Sequence, residues 1–481
     1  MQRGQRAIAI GFFVSTLTLL GAALKPDGAV SSQTMPIQSA SSTLPDQPFF
    51  FQPPGVQINP PGPAATSLPL APSAGGTWTV VSSPNTSATE HNFLQNVTCM
   101  SASDCWAVGT SFAAGAVTQT LIERWDGTAW TIVSSPNAGV AQGNFLYGVT
   151  CVSTSECWAA GYYNAAGAAQ TLIERWDGTS WAIVSSPNTS TTRNNFLYGV
   201  TCVSASECWA VGGHYTGSVN QTLIERWDGI SWAIVNSPST NAAEHNQFYG
   251  VTCPSALDCW AVGFYKNSLT GNNQTLMERW DGNSWALVPS PNTLSIQDNH
   301  LFAVTCVSES ECWAVGDYVN SNALSRSVQT LIERWDGTSW AVIASPNAST
   351  QTDVLFGVSC RSASDCWAAG YQTTNSVSQT LIEQWDGKAW TIASSADTSA
   401  TKNPVLHAVN LKSPGRARPM ARVTFTSRAM RRKPNSRSRP THFKKNMAMA
   451  ARMVTSRSTT KTEICFGRHF LEDRTGMESS A

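Results

Sequence analysis

Cysteines recur with a fixed internal spacing. Cys99, Cys151, Cys202, Cys253, Cys306 and Cys360 are each followed six residues later by a second cysteine that opens CWAVG or a near copy: Cys105, Cys157, Cys208, Cys259, Cys312 and Cys366. The first cysteines are 52, 51, 51, 53 and 54 residues apart. A repeat of about fifty residues is the length of one four-stranded propeller blade. The chain therefore reads as all-β, a β-propeller of four-stranded blades. A residue present in every copy is most simply explained by folding and stacking, so the repeat itself points to architecture and not to chemistry.

The second copy shows the blade. FLYGVTC alternates apolar and polar residues at strand period, and CWAAGYY follows a short polar turn. QTLIERW and WAIVSSP make strands three and four, joined through Asp177-Gly178, a pair that favours a tight turn because glycine accepts positive φ. All 19 tryptophans belong to this scheme: three in each of six copies, plus Trp78 before the first. Each indole buries on the order of 150–250 Å², which compensates for a charged content of only 13 %. Glu174 and Arg175 point to opposite faces of strand three, and their recurrence predicts pairing between blades. The sixth copy breaks this with Glu383 and Gln384.

The formal net charge is zero, yet residues 411–481 hold 17 Lys and Arg against 4 acids. The tail is basic and the rest acidic. Residues 1–29 read as a signal peptide or N-terminal anchor: Arg3 and Arg6 precede an apolar stretch over 7–24, and cleavage is preferred to membrane anchoring. Residues 30–75 are a Pro/Ser-rich linker. The propeller spans 76–410, and a mostly irregular basic tail spans 411–481. Behind an export signal, the six Cys-x5-Cys pairs predict intra-blade disulfides. Zinc is disfavoured, since no histidine recurs beside them. Cys465 is left over.

Ring closure has a signature of its own. Residues 76–84 (GTWTVVSSP) copy a fourth strand but precede the first complete unit, and 405–410 (VLHAVN) copy a first strand but follow the sixth. Both fit one split blade, giving seven blades with one degenerate. Six blades is the alternative.

The segment VGGHYTGSVNQTLIERWDGISW at 211–232 resembles the kelch repeat, with its double glycine after strand two and spaced aromatics later. The whole unit is similar to the Cys- and Trp-containing repeat arrays of secreted bacterial proteins of unknown activity. Those resemblances imply a propeller and no particular chemistry.

Function is expected on the face bearing the loops between strands two and three and between blades, because these loops vary while the cysteine and WDG turns do not. Its candidate binding residues are His91, Arg193, His214, His245, Lys266, His300 and Arg326, with the acids Glu90, Glu244, Asp298 and Asp353 nearby. His214 and His300 read as surface loop residues, and the repeated EHN at 90–92 and 244–246 reads as repeat ancestry. No Ser-His-Asp order, phosphate loop or metal-ligand cluster stands out. The expectation is a secreted or cell-surface, non-enzymatic, monomeric propeller binding a glycan or an extracellular protein, or serving as a surface scaffold. It needs no cofactor or metal, and no nucleic acid is expected on the propeller. A carbohydrate-active hydrolase of sialidase-like or kelch-like type is the alternative.

Overall fold

A computed structural model describes residues 78–395, apart from 79, 88–89, 113–115, 140, 166, 321–326 and 376. The export segment, the linker, 405–410, the basic tail, Cys465 and Arg326 lie outside the described residues.

Every described regular element is a strand. Each copy folds as an antiparallel meander. In blade two the strands are Asn144–Ser153, Glu156–Ala165, Ala168–Trp176 and Trp181–Val184, each paired with the next. Four blades are separate four-stranded sheets, and the fifth and sixth are joined by a single parallel bridge between Val328 and Thr352. The first strands, His91–Ser101, Asn144–Ser153, Asn195–Ser204, Asn246–Ser255, Asn299–Ser308 and Thr352–Ser362, pack side by side in succession. They are the inner strands of a β-propeller. The WDG turns form as the sequence predicts: Gly178 has φ 96°, and Asp177 Oδ1 accepts from the amides of Thr179 and Ser180 at 2.8 and 2.9 Å.

The core lies between blades. Trp158 is fully buried, with Trp227 and Trp232 of the next blade at 4.8 and 5.4 Å between ring centroids. Arg175 lies over both Trp158 and Trp227, at 5.2 and 5.9 Å. A guanidinium above an indole face contributes about 0.5–2 kcal/mol. The same arrangement repeats with Arg124, Arg226 and Arg279.

Glutamate and arginine do serve blade contacts, but not by pairing with each other as the sequence suggested. Arginine bonds within its own blade to the acid preceding the second cysteine, as in Arg175–Glu156 at 2.9 Å. Glutamate faces a serine after strand four of the preceding blade. Ser83–Glu123, Ser135–Glu174, Ser186–Glu225, Ser237–Glu278, Ser290–Glu333 and Ser345–Glu383 span 2.7–2.9 Å. Period-two geometry puts the two side chains on opposite faces, so each meets a different neighbour.

All six cysteine pairs lie at disulfide distance, with S–S of 1.94–2.02 Å. This fits an oxidising environment. Cys151 and Cys157 face each other directly across the hairpin of strands one and two.

Candidate binding site on the inner lining

The register of every inner strand slips by one residue in its first half, apart from the irregularity at the cysteine turn. The slip falls at Gln95, Tyr147, Tyr198, Tyr249, Phe302 and Phe356 in blades one to six. Such a bulge leaves the extra residue outside the ladder and re-aims its side chain. The glycine of CWAVG makes room for it: a Cβ on Gly161 would stand 1.8 Å from the carbonyl oxygen of Phe145. Glycine after the bulge lets inner strands approach, since a Cβ on Gly199 would stand 2.8 Å from the Tyr249 carbonyl oxygen.

The bulged rings touch in sequence. Centroid distances are 5.2 Å for Tyr147–Tyr198, 5.3 Å for Tyr198–Tyr249, 5.5 Å for Tyr249–Phe302 and 5.3 Å for Phe302–Phe356. Tyr147, Tyr249, Phe302 and Phe356 are half-buried, and Gln95 continues the series in blade one with an amide. Burial lifts the Tyr147 hydroxyl to about 12, against a lowering hydrogen bond from Tyr162, so it stays protonated at any physiological pH. The collar is uncharged and aromatic. It sits in the half of the inner strands nearer the variable loops, because each first strand starts at that end.

The collar was not among the expected site residues, and several of those have structural work instead. His300 lies inside the strand Asn299–Ser308 and is fully buried, not on a surface loop. Its Nδ1 is 3.1 Å from Asp317 Oδ1 and its Nε2 is 3.0 Å from Asn273 Nδ2. Both ring nitrogens are engaged, and Phe264 and Phe302 flank the ring. His214 also belongs to a strand, Glu207–Tyr215, where it is half-buried and desolvation pushes its imidazole below the usual value. His245 does lie in an interblade loop. Its Nδ1 accepts from the amide of Asn220 at 3.2 Å, the role that Asn194 and Asp298 play for Ala169 and Asn273. The two EHN copies are thus one structural position: His91 opens the first strand, exposed and stacked on Phe112 at 5.1 Å. Arg193 is exposed in its loop and donates to the Thr216 carbonyl. Lys266 ends its strand, exposed.

The nearby acids are committed too. Glu244 accepts from the amide and hydroxyl of Ser268 at 2.8 and 2.6 Å. Asp353 takes a place that is asparagine in blades two to five. There the buried amide both accepts and donates: Asn195 Oδ1 accepts from Thr189 N at 3.0 Å, and its Nδ2 donates to the Ser190 and Arg193 carbonyls. Asp353 Oδ2 accepts from Ser349 N at 2.9 Å, but Oδ1 is buried with no hydrogen-bond partner. Burial raises its carboxyl to about 6. Its protonated form suits the fold, so its contribution is full below pH 4 and is lost as pH rises through 6. Asp353→Asn is therefore expected to stabilise by about 1–2 kcal/mol at pH 8 and by nothing measurable at pH 4. Thermal melts of both proteins at the two pH values check this, and destabilisation at pH 8 would refute it.

Among the described residues no group of three or more His, Cys, Asp or Glu side chains is placed to hold a metal ion.

No protein-family model matches the chain. No curated protein matches it. Among solved structures it is similar to YCF48 bound to D1 peptide, at 12 % identity over 62 % of this chain and 80 % of that one, TM-score 0.36. It is also similar to an ulvan lyase of polysaccharide lyase family 25 bound to -[GlcA(1-4)Rha3S]-, at 8 % identity over 66 % and 85 %, TM-score 0.41. A third is a family 74 xyloglucanase from Xanthomonas campestris, at 13 % identity over 62 % of this chain and 45 % of that one, TM-score 0.39.

Proposed function

We propose that this is an exported, non-catalytic propeller that binds an uncharged glycan on the aromatic collar. The observation that carries this reading is the repeated bulge, which places Tyr147, Tyr198, Tyr249, Phe302 and Phe356 in one row of touching rings, all but Tyr198 half-buried. A sugar's C–H face rests well on an aromatic π face, whose quadrupole is negative there. Gln95 offers an amide to sugar hydroxyls beside that row. Export is supported by the apolar segment at 7–24 and by the six cysteine pairs.

The hydrolase reading requires two carboxyl groups astride a glycosidic bond. The acids near the collar favour it less: Asp317, Asp353 and Glu244 are all buried, and each holds hydrogen bonds within the fold.

A glycan array probed with the full chain, run beside a glycosidase assay on the same sugars, tests the proposal. Binding without turnover is expected, with the double variant Tyr249→Ala/Phe302→Ala losing at least about tenfold in affinity, on the order of 1.4 kcal/mol. Retained affinity in that variant would remove the collar from the site. Turnover would establish the hydrolase, and capture of an extracellular polypeptide in place of any sugar would establish a protein ligand.

A further inference from the structure

The inner strands carry a second repeated feature beneath the collar. Three residues past each collar position stands a hydroxyl: Thr98, Thr150, Thr201, Thr252, Thr305 and Ser359 in blades one to six. Each lies directly across the hairpin from the strand-two tryptophan, as Thr150 does from Trp158 and Thr201 from Trp209. Residues opposed in an antiparallel pair share a face of the sheet, so each hydroxyl looks towards the next blade from the channel side of an indole. Thr150, Thr201, Thr252 and Thr305 are half-buried. Their hydroxyls bond to no described residue, and none of them is a buried atom without a partner. They are therefore open to solvent. On the outer side of the same faces Trp158, Trp209, Trp260 and Trp313 are fully buried, so the opening is to the channel.

The two tiers are chemically complementary. The collar offers apolar faces, and the threonines offer one donor and two acceptor lone pairs each, which are the two kinds of surface that a sugar ring presents. We propose that the hydroxyl tier belongs to the same site as the collar, so that the ligand is the end of an unbranched, uncharged glycan, with one ring against the collar and the terminal ring bonded to the threonines. This rests on the reading of the collar as a glycan site. The tier lies two ladder steps past the bulge, about 7 Å along the strand. From the side of the variable loops it is reached only by a group that passes the collar. A chain lying across those loops would touch the rings and leave the hydroxyls free.

Calorimetric titration of the full chain with linear hexasaccharides of glucose, mannose, xylose and N-acetylglucosamine, and with linear polymers of the same sugars, tests this. At least one sugar is expected to bind, with the same affinity per chain as hexasaccharide and as polymer, because lengthening a chain adds no ends. A ligand held along its length would gain at least about tenfold per chain when the polymer is tenfold longer, and that result overturns end-on entry. Thr201→Val/Thr252→Val keeps the shape and should lose about tenfold in affinity, the effect of two hydrogen bonds. Thr201→Ser/Thr252→Ser returns the hydroxyls and should bind within about twofold of wild type. Should the valine pair fail to fold, Thr201→Ala/Thr252→Ala carries the same readout. Full affinity in the valine pair, with loss in Tyr249→Ala/Phe302→Ala, overturns the tier and leaves the collar. Loss that serine does not restore overturns bonding by the hydroxyls. Binding of no probe overturns both this inference and the reading on which it rests.

Discussion

Replacing Trp158 with alanine is expected to cost about 3–5 kcal/mol, the range for emptying a fully buried large aromatic site. The indole is 0 % exposed, it meets two tryptophans of blade three, and it supports the guanidinium of Arg175. The cavity would open in the contact between blades, where the neighbouring sheets are too regular to collapse into it. Denaturant unfolding gives the value. Arg193→Ala, on an exposed loop, should stay within about 0.5 kcal/mol of wild type. A thermally silent Trp158→Ala would show that the tryptophan layer is not the packing core.

Stability should also fall as pH rises from about 4.5 to 8. Glu174, Glu225, Glu278, Glu333 and Glu383 are each raised to about 8, and Glu123 to about 7, by burial, which the serine bond only partly offsets. The Ser135 hydroxyl donates to Glu174 at 2.9 Å, and this lowers the carboxyl less than burial raises it. A folded-state pKa above the unfolded value means a contribution that is full below about 4.5 and lost as pH rises through about 8. Glu174→Gln keeps an acceptor for Ser135 without the ionisation, so it should gain on the order of 4 kcal/mol over wild type at pH 8 and little at pH 4.5. A pH-independent difference between the two proteins would refute protonated burial. On the acid side, Asp126, Asp177 and Asp336 in the WDG turns are held at about 2 by side-chain and backbone hydrogen bonds, so what they contribute is lost only as pH falls from about 4 towards 2.

The blade was legible because its determinants are local. Strand alternation, the Asp-Gly turn and cysteines six apart each act within one hairpin, and each is written six times. The collar was harder to see for a definite reason. In FLYGV, Leu146 and Tyr147 are adjacent and apolar, which at strict strand period puts one of them on the wrong face. A one-residue slip resolves the conflict, and the aromatic-Gly or aromatic-Ala pair in blades two to six was the available signal. His300 and His214 were misplaced because a lone polar residue in a variable segment looks the same whether it lies in a solvent-facing loop or at the end of a strand. Only the register across blades, which one sequence does not print, shows that His245 stands in for Asn194 and Asp298. The Glu-Arg pair misled in the same way: its recurrence suggested pairing between blades, while opposite faces of one strand direct the two to different neighbours.

The cysteine bonds have a consequence for how the chain matures. Each joins residues separated by only six positions, so the correct partner is always the nearest one along the chain. Oxidation can proceed hairpin by hairpin as the polypeptide emerges into an oxidising space, before any distant segment has arrived, and a wrong pairing requires a thiol to pass over its nearest neighbour. The same locality sets what a reductant can do. It frees six small loops but cuts no covalent link between one sheet and the next, since each bond lies within one blade.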